Sequence, residues 1–292
     1  MHIPVLLDEA IRLLDPQPGE NFIDATIGGG GHAEKLISRI GTEGKLLGID
    51  WDEEQIRRLK EEWREKTNVI LTAANYKNLE NIIKQYNFAP PDGILFDLGF
   101  GLHTLEVSGK GFSFQKDEPL IMRYGGDEGP TAREILNTAS EAELERIFRE
   151  YGDERYSENI AHAVAVERKR KQIERTADLV RIIGEAIPRF LGRRGINPAT
   201  RTFQALRIAV NDEFGNIKKG VSAAIRVLAK NGRIVVITFH SGEDRVAKEI
   251  FKKASEEKTL EILTKHVIRP GRAEVLRNRA SRSAKLRAGI KK

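Results

Sequence analysis

The sequence predicts an α/β fold on a parallel sheet, interrupted by a helical insertion, and three observations carry that reading. Between residues 21 and 99, short apolar runs alternate with amphipathic helical stretches, the pattern of successive βα units. Residues 131–229 then read as helix after helix. At GRIVVITFHS, Gly232 to Ser241, an apolar run returns the chain to the sheet. The corresponding division puts a discontinuous α/β domain at residues 1–111 and 198–292 and an all-helical subdomain at 112–197.

Each element follows from local pattern. An amphipathic segment at Val5–Leu14 leads into a turn made by Pro16 and Pro18. The first strand covers Asn21–Thr26, the helix after it His32–Ile40, and the second strand ends at Asp50. A charged helix with Ile56 and Leu59 in its apolar stripe spans Glu53–Lys66. Val69–Leu71 is the third strand, and the helix Asn78–Tyr86 is stopped by Pro90 and Pro91. GILFDLG, Gly93 to Gly99, is nearly all apolar, which predicts a strand buried on both faces. Residues 100–130 are Gly-rich and lack periodicity, as a loop over a site would. Ser140–Glu143 carries a capping-box signal for a helix ending near Gly152. Helices at Glu154–Lys171, Ala177–Ile187, Thr202–Phe214 and Asn216–Ala229 follow, with the basic loop Gly192–Arg201 among them. Beyond the returning strand come a helix at Glu243–Ala254 and a last strand at Leu260–Lys265.

Composition excludes several chemistries. The chain of 292 residues is 40% hydrophobic, enough for a real core, and 32% charged. No apolar run reaches the length of a membrane span, and MHIPVLLDEA has neither a cationic start nor a cleavage site, so a cytoplasmic protein without a membrane partner is expected. Cysteine is absent, which removes disulfides, Cys-ligated zinc, iron–sulfur clusters and thiolate nucleophiles; no metal is called for. Any modification of a pyrimidine would then proceed without a cysteine adduct, favouring an exocyclic amine or a hydroxyl as target. Net charge is +6, but residues 265–292 hold ten Lys/Arg and one Glu, a local +9, so the remainder carries 6 − 9 = −3. A basic tail on a mildly acidic body suits a polyanionic partner. A solvated, partly disordered terminus explains that composition equally well.

The chemistry concentrates at FIDATIGGGGH, Phe22 to His32, where a strand ends on Asp24 and four glycines turn the chain into a helix. Asp50 ends the next strand about twenty residues beyond the glycines, where such folds hold ribose hydroxyls. Gly28-x-Gly30-x-x-Ala33 is a loose dinucleotide fingerprint, and weak evidence alone. Asp24, four residues before Gly28, also fits the acid-x-x-x-Gly-x-Gly pattern of S-adenosylmethionine enzymes, where a carboxylate receives the cationic end of the cofactor. Dinucleotide phosphates would be repelled there, so a methyl donor fits better. Asp97 ends the fourth strand at the same predicted edge, as a catalytic acceptor for an amine proton or as an ordinary turn aspartate. His32 lies in the glycine loop as a cofactor contact, and the role of His240, after the fifth strand, stays open. Phe112 and Phe114, beside Lys110 and Lys116, suit either base stacking or loop packing.

These blocks together resemble the MraW/RsmH family of bacterial 16S ribosomal RNA cytosine-N4 methyltransferases. The resemblance spans nearly the whole chain: HIPVLLDEA (His2 to Ala10), DATIGGGGH, DGILFDLG (Asp92 to Gly99), GFSFQKDEPLIMRY (Gly111 to Tyr124), NPATRTFQALRIAVNDE (Asn197 to Glu213), GRIVVITFHSGEDR (Gly232 to Arg245) and RSAKLR (Arg282 to Arg287). It implies a class I, Rossmann-like methyltransferase sheet with a helical insertion, and methyl transfer from S-adenosylmethionine to N4 of a decoding-centre cytosine of 16S rRNA in the small ribosomal subunit. It implies cofactor contacts at Gly30, Gly31, His32, Asp50, Tyr76 and Asp97, with Tyr76 packing on adenine; Asp24, Gly28 and Thr104 are further cofactor candidates, and Asp97 is the candidate catalytic residue. Lys110, Phe112, Arg201, His240, Lys285 and Arg287 are the candidate RNA contacts. One run and three single positions depart from the family pattern: FGLHTLE, Phe100 to Glu106, with Thr104 in place of glutamine; Lys110 for arginine; Ile121 for an acid; and Gly242 for leucine. The altered loop leaves a non-catalytic ribosome-assembly factor as the alternative, with an NAD-dependent dehydrogenase a distant third. Monomer and dimer are equally open.

Overall fold

The computed structural model describes residues 3–98, 109–124, 129–187, 197 and 199–292. They fall into two compact units, one formed by residues up to 99 together with 214–292, the other by residues 100–213.

The first unit holds one seven-stranded sheet. Its strands are β1 (Asn21–Asp24), β2 (Lys45–Asp50), β3 (Val69–Ala73), β4 (Gly93–Asp97), β5 (Arg233–Thr238), β6 (Leu260–Ile262) and β7 (Lys285–Lys291), in the order β3-β2-β1-β4-β5-β7-β6. Strands β1 to β5 pair in parallel, and β7 runs antiparallel to both β5 and β6. The chain winds outward from β1 to β3 and restarts at β4 on the other side of β1, so strand order reverses between β1 and β4. At such a reversal the neighbouring connections leave in opposite directions and a crevice opens beyond the carboxyl ends of the strands.

Period-two alternation splits the core between two faces. Ile23, Leu47, Ile49, Ile94, Phe96, Ile234 and Val236 pack with α4 (Leu79–Gln85), α10 (Glu213–Val227) and α11 (Ser241–Glu256). Phe22, Leu46, Leu95, Val235 and Ile237 pack with α1 (Leu7–Leu14), α2 (Gly31–Ile40) and α3 (Glu53–Glu62). Each of these strand residues is at most 1% exposed, which is why the strands read as apolar runs without alternation.

The second unit is helical: α5 (Ala132–Thr138), α6 (Glu141–Gly152), α7 (Ser157–Glu167), α8 (Thr176–Ala186) and α9 (Ala199–Asn211). Thr131 and Glu134 close a reciprocal capping box on α5, and the Ser140 hydroxyl accepts from the Glu143 amide to start α6. Leu136, Leu144, Phe148, Ile160, Val164, Leu179, Phe203 and Leu206 form its core. Phe203 and Leu206 lie on α9, and Gly152 lets α9 approach so closely that a Cβ there would stand 2.5 Å from the Arg201 carbonyl oxygen. Residues 199–213 therefore belong to the helical unit, whereas the sequence division assigned 198 onward to the α/β domain; the unit's other edge falls at residue 100 rather than 112.

The tail departs most from expectation. Residues 272–277 form α12, a 3-10 turn covers Arg279–Ser283, and β7 fills the gap between β5 and β6. No helix among the described residues is long and apolar enough to cross a membrane.

Candidate active site at the carboxyl edge of the sheet

Register places the three strand-end carboxylates together. Asp24 pairs with Gly48 on β2 and Leu95 on β4, so Asp50 and Asp97 stand two residues beyond it on its flanking strands, all at the carboxyl edge. Asp24 is 1% exposed, and its Oδ1 accepts from the Thr26 amide at 3.2 Å. Burial above all, then the nearby charges of Asp97 and Asp50, push its carboxyl up to about 8. Burial also raises Asp50, although its Oδ2 accepts from the Gly28 amide at 2.8 Å and its Oδ1 from the Asp52 amide at 3.0 Å.

The glycines act here by steric permission more than by donation. Gly28 and Gly30 have positive φ (48° and 82°), a region costly for residues with a Cβ. Their amides are engaged internally, Gly28 with Asp50 and Gly30 with the Ile27 carbonyl at 2.8 Å. A Cβ on Gly30 would lie 2.6 Å from Cζ2 of Trp63, and one on Gly31 would lie 2.6 Å from Cγ of Pro4. The loop thus folds tightly between α3 and the N-terminal segment.

Asp97 is held from two sides. Its amide donates to the Thr26 Oγ1 at 2.6 Å, and its Oδ2 faces Nδ1 of His32 at 3.6 Å. Burial drives the His32 imidazole down to about 4, so the pair is not an ion pair at neutral pH despite the distance. His32 Nε2 lies 3.1 Å from the Val5 carbonyl, which can only accept; Nε2 therefore carries the proton and Nδ1 presents a lone pair to Asp97. Thr26 escaped the sequence reading, although it stands inside DATIGGGG.

Tyr76 is 5% exposed, with its ring edge-on to Phe96 at 5.5 Å and to Trp51 at 6.4 Å, and Gly220 packs against it. That ring is largely core. Trp51, half-buried and next to Asp50, is the aromatic residue the sequence reading missed; its place directly after a strand-end acid was the available signal.

Other expected residues fall elsewhere. His240 caps α11: its Nδ1 accepts from the Glu243 amide at 3.4 Å while Glu243 Oε2 accepts from the Phe239 amide at 2.7 Å. A Cβ on Gly242 would lie 2.4 Å from Cζ of Phe214, so the departure from leucine there accommodates that ring. Lys285 and Arg287 are not free for RNA: both pair with Asp244, at 3.0 and 2.8 Å, and hold Asp244 below the usual carboxylate range against the effect of its burial. Within the helical unit, Phe112 is 8% exposed and stacked on Tyr124 at 5.1 Å, an arrangement of packing rather than of base capture. Arg201 is exposed and donates to the Asp153 carbonyl at 3.1 Å. Lys110 and Ile121, two of the family departures, are joined by the Ile121 amide donating to the Lys110 carbonyl at 3.1 Å. Thr104 lies outside the described residues, as do the rest of FGLHTLE and most of the Gly192–Arg201 loop.

A doubly wound sheet whose glycine turn opens beside clustered carboxylates defines a nucleoside-cofactor enzyme of the Rossmann-like class, with the acids suited to a cationic ligand. Residues 1–292 match the model of the MraW methylase family, and the chain belongs to that family. It is 45% identical over 291 residues to the ribosomal RNA small subunit methyltransferase H of Dictyoglomus thermophilum, covering 99% of this chain and 96% of that one. The proteins of the same name from Dictyoglomus turgidum and Caldicellulosiruptor saccharolyticus are 42% and 41% identical, with 97% and 99% of their lengths covered. The chain is an S-adenosylmethionine-dependent methyltransferase.

Proposed function

We propose that the protein methylates N4 of a cytosine in the decoding centre of 16S rRNA, on the small ribosomal subunit in the cytoplasm. The names of its relatives support ribosomal RNA as the substrate. The observation that carries the chemistry is Asp97 at the switch-point edge with the His32 lone pair behind it. The absence of cysteine supports an amine rather than a ring carbon as the acceptor.

Bound S-adenosylmethionine supplies an electrophilic methyl on a sulfonium. Asp24, buried among acids, fits its cationic amino-acid end, and Asp50 retains lone pairs for ribose hydroxyls. Trp51, half-buried beside Asp50 and edge-on to Tyr76, would be the aromatic face available to adenine. Asp97 accepts a hydrogen bond from the exocyclic amine, whose lone pair is otherwise delocalised into the ring, and so helps the nitrogen become pyramidal. Once that nitrogen has taken the methyl, its proton would pass to Asp97, whose Oδ2 faces His32 Nδ1 at 3.6 Å. Holding donor and amine in line supplies most of the acceleration.

Replacing Asp97 by Asn keeps the shape and removes the base. With labelled S-adenosylmethionine and small subunits lacking the modification, D97N should lose about 10²-fold or more of the transfer rate while retaining part of its cofactor binding. Wild-type turnover by D97N would remove Asp97 from this role.

A further inference from the structure

We propose that Arg272, Arg277, Arg279 and Arg282, with Arg269, form a docking surface for the phosphate backbone of the RNA, at the rim of the Asp97 crevice. The inference rests on the reading of the protein as an RNA methyltransferase and names a surface that this reading does not require.

Position follows from strand register. Lys285, the first residue of β7, pairs with Thr238, the last residue of β5, so the segment just before Lys285 emerges at the carboxyl edge. That is the edge where Asp24, Asp50 and Asp97 end their strands. Two further hydrogen bonds tie the segment to the site: the Leu6 amide donates to Glu274 Oε1 at 2.8 Å, and Asn278 Nδ2 donates to the Ile3 carbonyl at 3.0 Å. The stretch of chain so anchored also supplies the Val5 carbonyl that holds His32 and the Pro4 ring that packs on Gly31. The arginine segment and the catalytic histidine loop thus share one support.

Charge separates these arginines from the rest of the tail. Lys285 and Arg287 are neutralised by Asp244, Lys292 pairs with Glu261 at 3.2 Å, and Lys291 Nζ donates to the Leu228 carbonyl at 2.7 Å. All five arginines are exposed, and no ion pair engages them among the described residues. Glu274, the one acid of the segment, is turned inward to Leu6. Leu276, 74% exposed, stands among the arginines and offers apolar contact to an unstacked base. A run of free arginines beside a crevice that must receive a nucleotide suits RNA, since guanidinium groups bind phosphate by paired N–H donors.

The test compares the full chain with R272Q/R277Q/R279Q/R282Q, using small ribosomal subunits lacking the modification, labelled S-adenosylmethionine and a salt series. The variant should raise KM for RNA by about tenfold or more and reduce the slope of log affinity against log salt by about 3, with kcat and cofactor affinity within about twofold. K252Q/K253Q, exposed near the far end of α11, remove two charges away from this edge and should leave RNA affinity unchanged. Should the fourfold variant fold poorly, R272Q/R277Q and R279Q/R282Q are read separately, each with about half the slope change. Unchanged KM and slope in variants that melt like wild type would overturn the proposal, as would loss of binding to anionic phospholipid vesicles with RNA affinity intact. A wild-type chain that retains RNA through these arginines yet transfers no methyl would refute the enzymatic reading and leave the surface standing.

Discussion

Asp24 concentrates the electrostatic cost of the site. Burial keeps its carboxyl protonated up to about pH 8, whereas in the unfolded chain it ionises near its ordinary 3.8. Between those values the unfolded state has lost a proton that the folded state keeps, so this group's contribution to stability falls as pH rises and levels off beyond about 8. D24N removes the penalty: the ligand-free variant should melt higher than wild type at pH 8–9 and much the same at pH 4, with each 1 kcal/mol relieved worth about 2–4 °C. Calorimetry across that range checks it, and equal melting temperatures at pH 9 would contradict it. Binding pulls the other way, because a cationic ligand needs the carboxylate. Wild-type affinity for S-adenosylmethionine should rise between pH 6 and 8, while D24N should bind more weakly and with little pH dependence. At this scale the meeting of the three acids was legible: Asp24, Asp50 and Asp97 each end an apolar strand, and parallel strands deliver their ends to one edge. Trp51 and Thr26 were not, because their parts depend on neighbours brought from other strands. The Gly28 amide donates to Asp50, a contact between segments that follow different strands and one that spacing does not reveal.

Among the elements, β1, β2, β4 and β5 were readable because burial on both faces makes each an apolar run, and the half-buried edge strand β3 still shows Val69, Ile70 and Leu71 in succession. β7 was not. Its sequence KLRAGIK places basic residues between apolar ones, and the cost of bringing them into a sheet is offset by partners distant in sequence, above all Asp244 for Lys285 and Arg287. The small, charged α12 carries no apolar stripe and has no buried residue, so periodicity could not find it. A consequence follows for any test of the basic tail. Truncation at Ala284 removes β7 from between β5 and β6 and should cost the fold itself, seen as insolubility or a collapsed melting transition. K285Q/R287Q is the sharper variant. It leaves Asp244 half-buried without its two cations, so stability should fall by about 1–3 kcal/mol while RNA affinity shifts by about twofold or less. Chemical denaturation beside an RNA filter-binding assay separates the two, and a large affinity loss with unchanged stability would return these residues to the RNA interface.

For the molecule as a whole, the two-unit organisation was legible in the switch from alternating βα pattern to successive helices, but its boundaries were not. Residues 199–213 look like a lead-in to the returning strand, and only the burial of Phe203 and Leu206 among α6 and its neighbours assigns them to the helical unit. Net charge misled in a similar way: the local +9 of residues 265–292 is spent partly on sheet-building ion pairs, and what remains free is gathered at the carboxyl edge. A parallel sheet brings an acidic crevice for the methyl donor and a rim of arginines to one edge, and the claim that joins them is transfer to the exocyclic amine of a cytosine. The most direct measurement incubates the full chain with methyl-labelled S-adenosylmethionine and small ribosomal subunits lacking the modification, digests their RNA to nucleosides and identifies the labelled one by mass spectrometry. N4-methylcytidine carrying the label, and lost in D97N, is the predicted result; label in 5-methylcytidine, in a 2′-O-methyl nucleoside or in none would contradict it.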